Sequence, residues 1–250
     1  MKKHMSVFML IVRYNLYRIL ALLTVMAAVE TGLFWMTLKR GMSQEGYGLE
    51  YVIDKSYIAI VFFLTFVIMD IFLISFTGYE KVETHRYTLM RLSIPRKEVY
   101  YLQSLYNTFC YLLFWAIQIL IVVGLGYLYM ENAPTEYVTN QSVFLAFYRN
   151  GFLHSLLPFE DWPYWIRNIL ICVALGLRSA MYLSEESKPK RLYGTFWGAT
   201  YATFIGNIGS YGLCILLGTF AMVCIVLEIR RMHKEEKEGR MEEECESIDG

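Results

Sequence analysis

The 250-residue chain has no net charge, little proline and no cysteine cluster. Its 23 basic and 23 acidic residues cancel, so the charge balance gives no sign of a nucleic-acid partner. Four of its five cysteines lie in apolar runs and Cys245 lies in a charged tail, and no two have metal-ligand spacing. We therefore expect neither a disulfide framework nor a metal site.

Motifs for catalysis and for nucleotide binding are also missing. All four histidines fall outside the apolar runs, and the sequence has no His-Glu-x-x-His pattern. It has no Gly-x-x-x-x-Gly-Lys-Ser/Thr loop, and its Gly-x-Gly at 124–126 lies inside an apolar run. We expect no catalytic residues and no cofactor bound by this chain, so that any ATP would be handled by a partner.

What the chain has in abundance is apolar sequence, at 56% of its residues. A soluble domain of this size has no room to bury so much apolar surface, whereas a bilayer solvates it from outside. Aromatic residues at the ends of the apolar runs are typical of rings at headgroup level. We predict an all-α integral membrane protein, with a single transmembrane domain over 1–228 and a charged cytoplasmic tail over 229–250.

The apolar runs predict about six membrane spans, with five or seven also compatible. The stretch 192–227 is too long for one span and divides at the turn-forming residues 206–210. The predicted spans cover residues 19–38, 57–77, 105–130, 166–183, 192–206 and 209–228.

The distribution of lysine and arginine predicts the orientation. With both termini in the cytoplasm, 16 of these residues fall in cytoplasmic segments and 4 in outside segments. Residues 5–17 are predicted to form an amphipathic helix on the inner leaflet of the cell membrane. The outside segment 131–165 predicts an amphipathic helix on the outer leaflet followed by an aromatic anchor, with a lid as the alternative.

Three ionisable residues lie within the predicted spans and away from the span ends, where such groups are costly and are functional hypotheses by default. At about 1.5 Å rise per residue, Asp70 and Arg178 lie at similar depths, so we predict that they pair, as a gate or as a structural clamp. Glu30 has no basic residue at its depth and would be protonated, hydrogen-bonded to another helix or lining a polar path. Asn107 and Gln118 are predicted to form hydrogen bonds between helices.

A stripe of small residues marks one face of the fifth predicted span. Its members recur every fourth position, which permits close approach of a neighbouring helix or of a second subunit. They are Gly194, Gly198, Ala202 and Gly206.

The cytoplasmic segment 80–97 is the most informative part of the chain. A short polar helix is expected to end near Leu92, since Pro95 disfavours helix in the residue before it. Arg96 and Lys97 then lead into the third span. A helix fixed to two spans is suited to dock a soluble partner, and an ordinary basic loop is the alternative that the residues leave open.

The run from Thr88 to Glu98 resembles the cytoplasmic loop of permease subunits of type-2, exporter-class ABC transporters. Those loops commonly carry Leu, a small residue, Pro and then basic residues before the third span. The resemblance implies two partners in the membrane-bound complex, an ABC ATPase subunit that binds the ATP and a second permease subunit. It implies that residues 80–97 contact the ATPase, and the implied docking residues are Thr88, Leu89, Arg91, Leu92, Pro95, Arg96 and Lys97.

A non-transporting polytopic membrane protein, such as an assembly, immunity or sensor subunit, is the competing class. It would show the same spans and the same charge bias. The exporter hypothesis requires an ATPase held through residues 80–97, and the alternative does not. The sequence leaves the substrate open.

Overall fold

The fold is all-helical in a computed structural model that describes residues 2–41, 48–78, 96–133, 140–158, 162–181, 211–248 and the single positions 198, 200 and 203. Over these residues the chain forms eight helices and no strand, which confirms the predicted all-α class. The helices are α1 (Lys2–Gly41), α2 (Leu49–Lys55), α3 (Ile58–Gly78), α4 (Arg96–Asn132), α5 (Asn140–Arg149), α6 (Gly151–Leu156), α7 (Trp162–Met181) and α8 (Tyr211–Ile248).

Three described helices are long and apolar enough to cross a membrane, as expected of a membrane protein. They are Asn15–Gly41 in α1, Glu98–Asn132 in α4 and Tyr211–Lys234 in α8. The α2–α3 pair adds a fourth if it counts as one span, bent by 46° between its two helices. Helix α7 is not among them, because Arg167, Asn168 and Arg178 interrupt its apolar sequence.

Five of the six predicted spans fall on described helices. The span 57–77 matches α3 to within one residue, and α7 begins four residues before the predicted span 166–183 and ends two before it. Helix α1 joins the predicted surface helix 5–17 to the first span without a break, and α8 continues through the charged tail to Ile248. The predicted span 192–206 lies outside the described residues, apart from positions 198, 200 and 203.

Helix α7 lies at the centre of the described bundle, packed against α4, α8 and α3. It runs antiparallel to α4: Trp165 packs against Trp115 with ring centroids 5.2 Å apart, and near the other end Tyr100 Oη donates to the Leu177 carbonyl at 3.0 Å. The two backbones approach closely at Gly176, where a Cβ atom would overlap Thr108 Oγ1 and lie 2.7 Å from the Thr108 backbone nitrogen. Only glycine fits this contact.

Helix α8 contacts the bundle through one narrow stripe and runs parallel to α7. The rings of Tyr164 and Tyr211 are 6.1 Å apart at one end, and Arg178 contacts Glu228 at the other. Met181 and Tyr211 therefore lie at opposite ends of the bundle. The stripe repeats every three or four residues, the spacing of one helix face. Its buried members are Cys214, Leu217, Ala221, Cys224, Glu228 and Met232.

The segment predicted to lie on the outer leaflet divides into two helices with different surroundings. Helix α5 is amphipathic, as predicted, with Phe144, Leu145 and Tyr148 exposed. Helix α6 instead enters the bundle, where Leu153 and Leu156 are fully buried. The prediction of a single surface helix is wrong for α6, because its Phe152 ring packs against Phe62 of α3 and its Leu156 carbonyl accepts a hydrogen bond from Trp115 of α4.

The close α4–α7 approach predicts a strong effect of adding one methyl group at Gly176. Gly176→Ala should lower the stability by about 1–3 kcal/mol, because an overpacked contact forces the helices apart. Gly124→Ala is the matched control, since Gly124 is also mid-helix and a Cβ there meets nothing within 4 Å. Thermal unfolding in detergent should show a lower midpoint for Gly176→Ala only, and equal midpoints would contradict the described packing.

Candidate functional site

The candidate site is the set of buried polar side chains that join the helices of the bundle. The three ionisable residues singled out from the sequence, Glu30, Asp70 and Arg178, are all at most 3% exposed. Each meets a partner on a different helix, so the structure places them in three separate contacts between α1 and α4, α3 and α4, and α7 and α8.

Glu30 is held between α1 and α4 by Gln118. The Gln118 Nε2 atom donates to Glu30 Oε2 at 2.9 Å, and both side chains are fully buried. Of the alternatives for Glu30, a hydrogen bond to another helix is therefore present. Asn107 on the same helix donates to Ser179 Oγ of α7 at 2.7 Å. Both predicted interhelical hydrogen bonds are confirmed.

Asp70 lies on α3 and accepts a hydrogen bond from Tyr111 of α4. The Tyr111 hydroxyl is 2.5 Å from Asp70 Oδ1, a short distance of the kind found between a hydroxyl and a carboxylate. The ring of Phe66 packs beside Tyr111, with centroids 5.8 Å apart. Tyr111 was not among the residues predicted from the sequence, because an aromatic residue in an apolar run gives no local sign of a polar role.

Arg178 pairs with Glu228 rather than with Asp70. Its Nη1 atom lies 2.8 Å from Glu228 Oε1, and Arg231 approaches the same oxygen at 3.8 Å from the next turn of α8. The structure thus replaces the predicted Asp70–Arg178 pair with a pair between α7 and α8. The reason is that depth along a helix says nothing about direction around it, and Arg178 points towards α8 while Asp70 points towards α4.

Arg167 forms a further buried polar group that the sequence did not single out. Its Nε and Nη2 atoms donate to the side-chain oxygen of the adjacent Asn168, and Nη2 also reaches the Thr203 carbonyl at 3.3 Å. Its guanidinium lies 4.8 Å from the ring centre of Tyr164, a distance suited to a cation–π contact. These neutral partners surround a side chain that is 1% exposed.

Helix α6 is fixed in the bundle through its own backbone carbonyls. The last turn of a helix leaves carbonyls without partners, and in a buried site these must be satisfied by other donors. Trp115 Nε1 of α4 donates to the Leu156 carbonyl at 3.1 Å, and Asn168 Nδ2 of α7 donates to the Ser155 carbonyl at 3.0 Å. These two hydrogen bonds fix α6 at the end of the bundle where α7 begins.

Asn150 connects this short helix to the bend between α2 and α3. Its Oδ1 accepts from the backbone nitrogens of Phe152 and Leu153 and so caps α6, while its Nδ2 donates to Asp54 Oδ1 at 2.7 Å. Just beyond Asp54, Tyr57 adopts φ 55°, a left-handed conformation that is costly for a bulky residue. One hydrogen bond therefore joins the bend between α2 and α3 to the start of α6.

The other predicted site residues are outside this set. Residues 88–95 of the proposed docking region lie outside the described part of the chain, while Arg96 and Lys97 begin α4. Gly194, Ala202 and Gly206 of the small-residue stripe are also outside it. Gly198 is described and exposed, with nothing within 4 Å of the position a Cβ would take.

Comparison with known proteins identifies no relative: no family model matches the chain, and neither a curated protein nor a solved structure matches it. The function is therefore argued from the chain's own residues. Chemically, the described contacts between helices are one ion pair and several charge-assisted or neutral hydrogen bonds. Such contacts fix how neighbouring helices align, and they must be exchanged if the helices move relative to one another.

The Arg178–Glu228 assignment predicts an asymmetric mutational response. Removing one member of a buried ion pair typically costs about 3–5 kcal/mol, whereas replacing both members with apolar residues is often neutral. We expect Glu228→Leu to lower the thermal midpoint strongly and Arg178→Met with Glu228→Leu to recover most of it.

Exchanging the charges of two residues distinguishes the Arg178–Glu228 pair from the Asp70–Arg178 pair that was predicted from depth along the helices. Arg178→Glu with Glu228→Arg should retain a monodisperse, folded protein, whereas Arg178→Asp with Asp70→Arg should not. Size-exclusion chromatography in detergent reports the result, and recovery only by the Asp70 exchange would overturn the pairing described above.

The fixation of α6 predicts an effect of removing a single donor. Trp115→Phe keeps most of the ring but leaves the Leu156 carbonyl without its hydrogen bond, so stability should fall by about 1–3 kcal/mol. Trp162→Phe is the control, because Trp162 is 80% exposed. Equal thermal midpoints for the two variants would show that the Trp115 bond does not hold α6 in place.

Proposed function

We propose that the chain is the membrane-spanning permease subunit of an ATP-driven, ABC-type exporter, and that a separate subunit hydrolyses the ATP. The resemblance of the run 88–98 suggests this function. The observation that supports it best is the position of α4, which begins at Arg96, within that run, and continues without a break to Asn132.

Helix α4 is suited to carry a displacement from its basic end into the bundle. Along its length it contacts α1 through Gln118, α3 through Tyr111 and α7 through Asn107. A partner that moved the Arg96 end would therefore act on three helix contacts through one rigid element. In an exporter, this is the connection needed between ATP hydrolysis outside the membrane and rearrangement within it.

The arrangement of α7 and α8 supports six spans in this proposal. Because the two helices are parallel, the chain leaves α7 at one end of the bundle and enters α8 at the other. In this proposal, the span predicted from the sequence over 192–206 is the crossing that returns the chain. With it, and with the lysine and arginine bias, both termini lie on the cytoplasmic side of the cell membrane.

A non-transporting membrane subunit is the second candidate, and one observation favours it. Glu30, Asp70 and Arg178 are all buried against partners from neighbouring helices, so none of them lines an open path in this conformation. A protein that only scaffolds or senses requires no such path. An exporter requires a second conformation in which some of these contacts open.

Affinity purification separates the two candidates. The tagged chain, purified in mild detergent, should bring a stoichiometric ATPase with it. Arg91→Glu with Arg96→Glu should abolish that association, because both arginines belong to the docking region that the resemblance implies. Lys39→Glu with Arg40→Glu is the matched control: the same charge change at the far end of α1, predicted to lie outside. Recovery of the chain alone, or only with other membrane proteins, would favour the non-transporting candidate.

A further inference from the structure

The contact between Glu30 and Gln118 contains two buried oxygen atoms without a hydrogen-bond partner. Gln118 Nε2 donates to Glu30 Oε2, which accounts for one atom of each group. The remaining oxygens, Glu30 Oε1 and Gln118 Oε1, are both buried and both unpartnered among the described residues. Each of the two side chains therefore has one buried oxygen without a hydrogen-bond partner.

If Glu30 were ionised, these two oxygen atoms would both remain without a hydrogen-bond donor. A carboxylate has only acceptors, and an amide oxygen is also only an acceptor, so they cannot satisfy each other. No basic side chain of the described residues contacts Glu30, and the residues one turn away on the same two helix faces are buried and apolar. These are Met26, Phe34, Phe114 and Val122. A carboxylate in such surroundings bears a large desolvation cost with no counter-ion.

We propose that Glu30 is a proton-binding group and carries a proton in this conformation. The proton forms an O–H bond at Glu30 Oε1, neutralises the carboxylate and is donated to Gln118 Oε1. Together with the existing N–H···O bond, this closes a cyclic pair in which a carboxylic acid and a primary amide each donate once and accept once. One proton, taken from the solvent, thus satisfies both remaining oxygens.

The other buried acids differ from Glu30 in their partners. Glu228 faces Arg178 at 2.8 Å, with Arg231 nearby, and an opposite charge at that distance keeps a carboxylate ionised. Asp70 already accepts from the Tyr111 hydroxyl. Glu30 is held by an amide alone. This difference makes Glu228 a control within the same molecule, and the proposal does not depend on the exporter function.

The proton links the chemistry of Glu30 to the contact between α1 and α4. The cyclic pair exists only while the two helices hold their side chains face to face. Separation of α1 from α4 would expose the acid and let it release its proton to water. Proton occupancy of Glu30 therefore accompanies one arrangement of these helices, whatever the protein moves or senses.

Infrared spectroscopy of the purified full-length protein in lipid nanodiscs at neutral pH tests the proposal. A protonated carboxylic acid has a carbonyl-stretching band that is separate from the bands of carboxylates and that shifts in D₂O. The spectrum of the wild type minus that of Glu30→Gln should contain this band. The wild type minus Glu228→Gln should lack it. Its absence from the Glu30 difference spectrum would overturn the proposal.

A second variant keeps the test decisive if Glu30→Gln fails to fold. Gln118→Leu removes the acceptor of the acid proton but leaves Glu30 in place. A protonated Glu30 should then keep its band, moved to higher frequency because its hydrogen bond is lost. A spectrum unchanged by Gln118→Leu, or one with no acid band before and after, would show that Glu30 is not the protonated group.

Discussion

A polar group removed from water must find its partner inside the protein, and the helix contacts of this chain are organised around that requirement. Helix α7 shows it most clearly. It occupies the centre of the described bundle, where α4 supplies a partner for Ser179, α6 for Asn168 and α8 for Arg178. Its polarity and its central position are therefore connected: at the lipid-facing edge of the bundle these groups would have no partners, while at the centre they join four helices.

The positions of the helices were largely predictable from the sequence, and the directions of their side chains were not. Apolar runs located α3 to within one residue, because hydropathy and length act along the chain. The pairing of Arg178 was wrong because it was argued from depth alone. Glu228, the last residue of the predicted span 209–228, was not singled out, although it continues the three-to-four spacing of Cys214, Ala221 and Cys224. This spacing indicates that Glu228 lies on the buried face of α8, but the charged residues that follow Glu228 obscure the pattern.

The outer segment shows a different limit of sequence reasoning. Its aromatic residues at helical spacing indicated a surface helix, which describes α5 but not α6. What draws α6 into the bundle is a set of donors distant in the chain: Trp115 is 41 residues from the carbonyl that it contacts. The local sequence pattern of α6 gives no indication of such a distant partner. The hydrogen bond between Asp54 and Asn150 is equally hidden from local sequence patterns, because the two residues are 96 positions apart. Each lies where one helix ends and the next begins, and neither site looks unusual in the sequence.

The Arg178–Glu228 pair also has a consequence for how the protein is made. A chain is synthesised from its N-terminus, and Glu228 follows Arg178 by 50 residues, so α7 leaves the ribosome well before its counter-ion exists. Helix α7 is also too polar to count among the helices able to cross a membrane by composition. The buried charge of Arg178 therefore gains this carboxylate partner only after α8 has been synthesised and packs against α7.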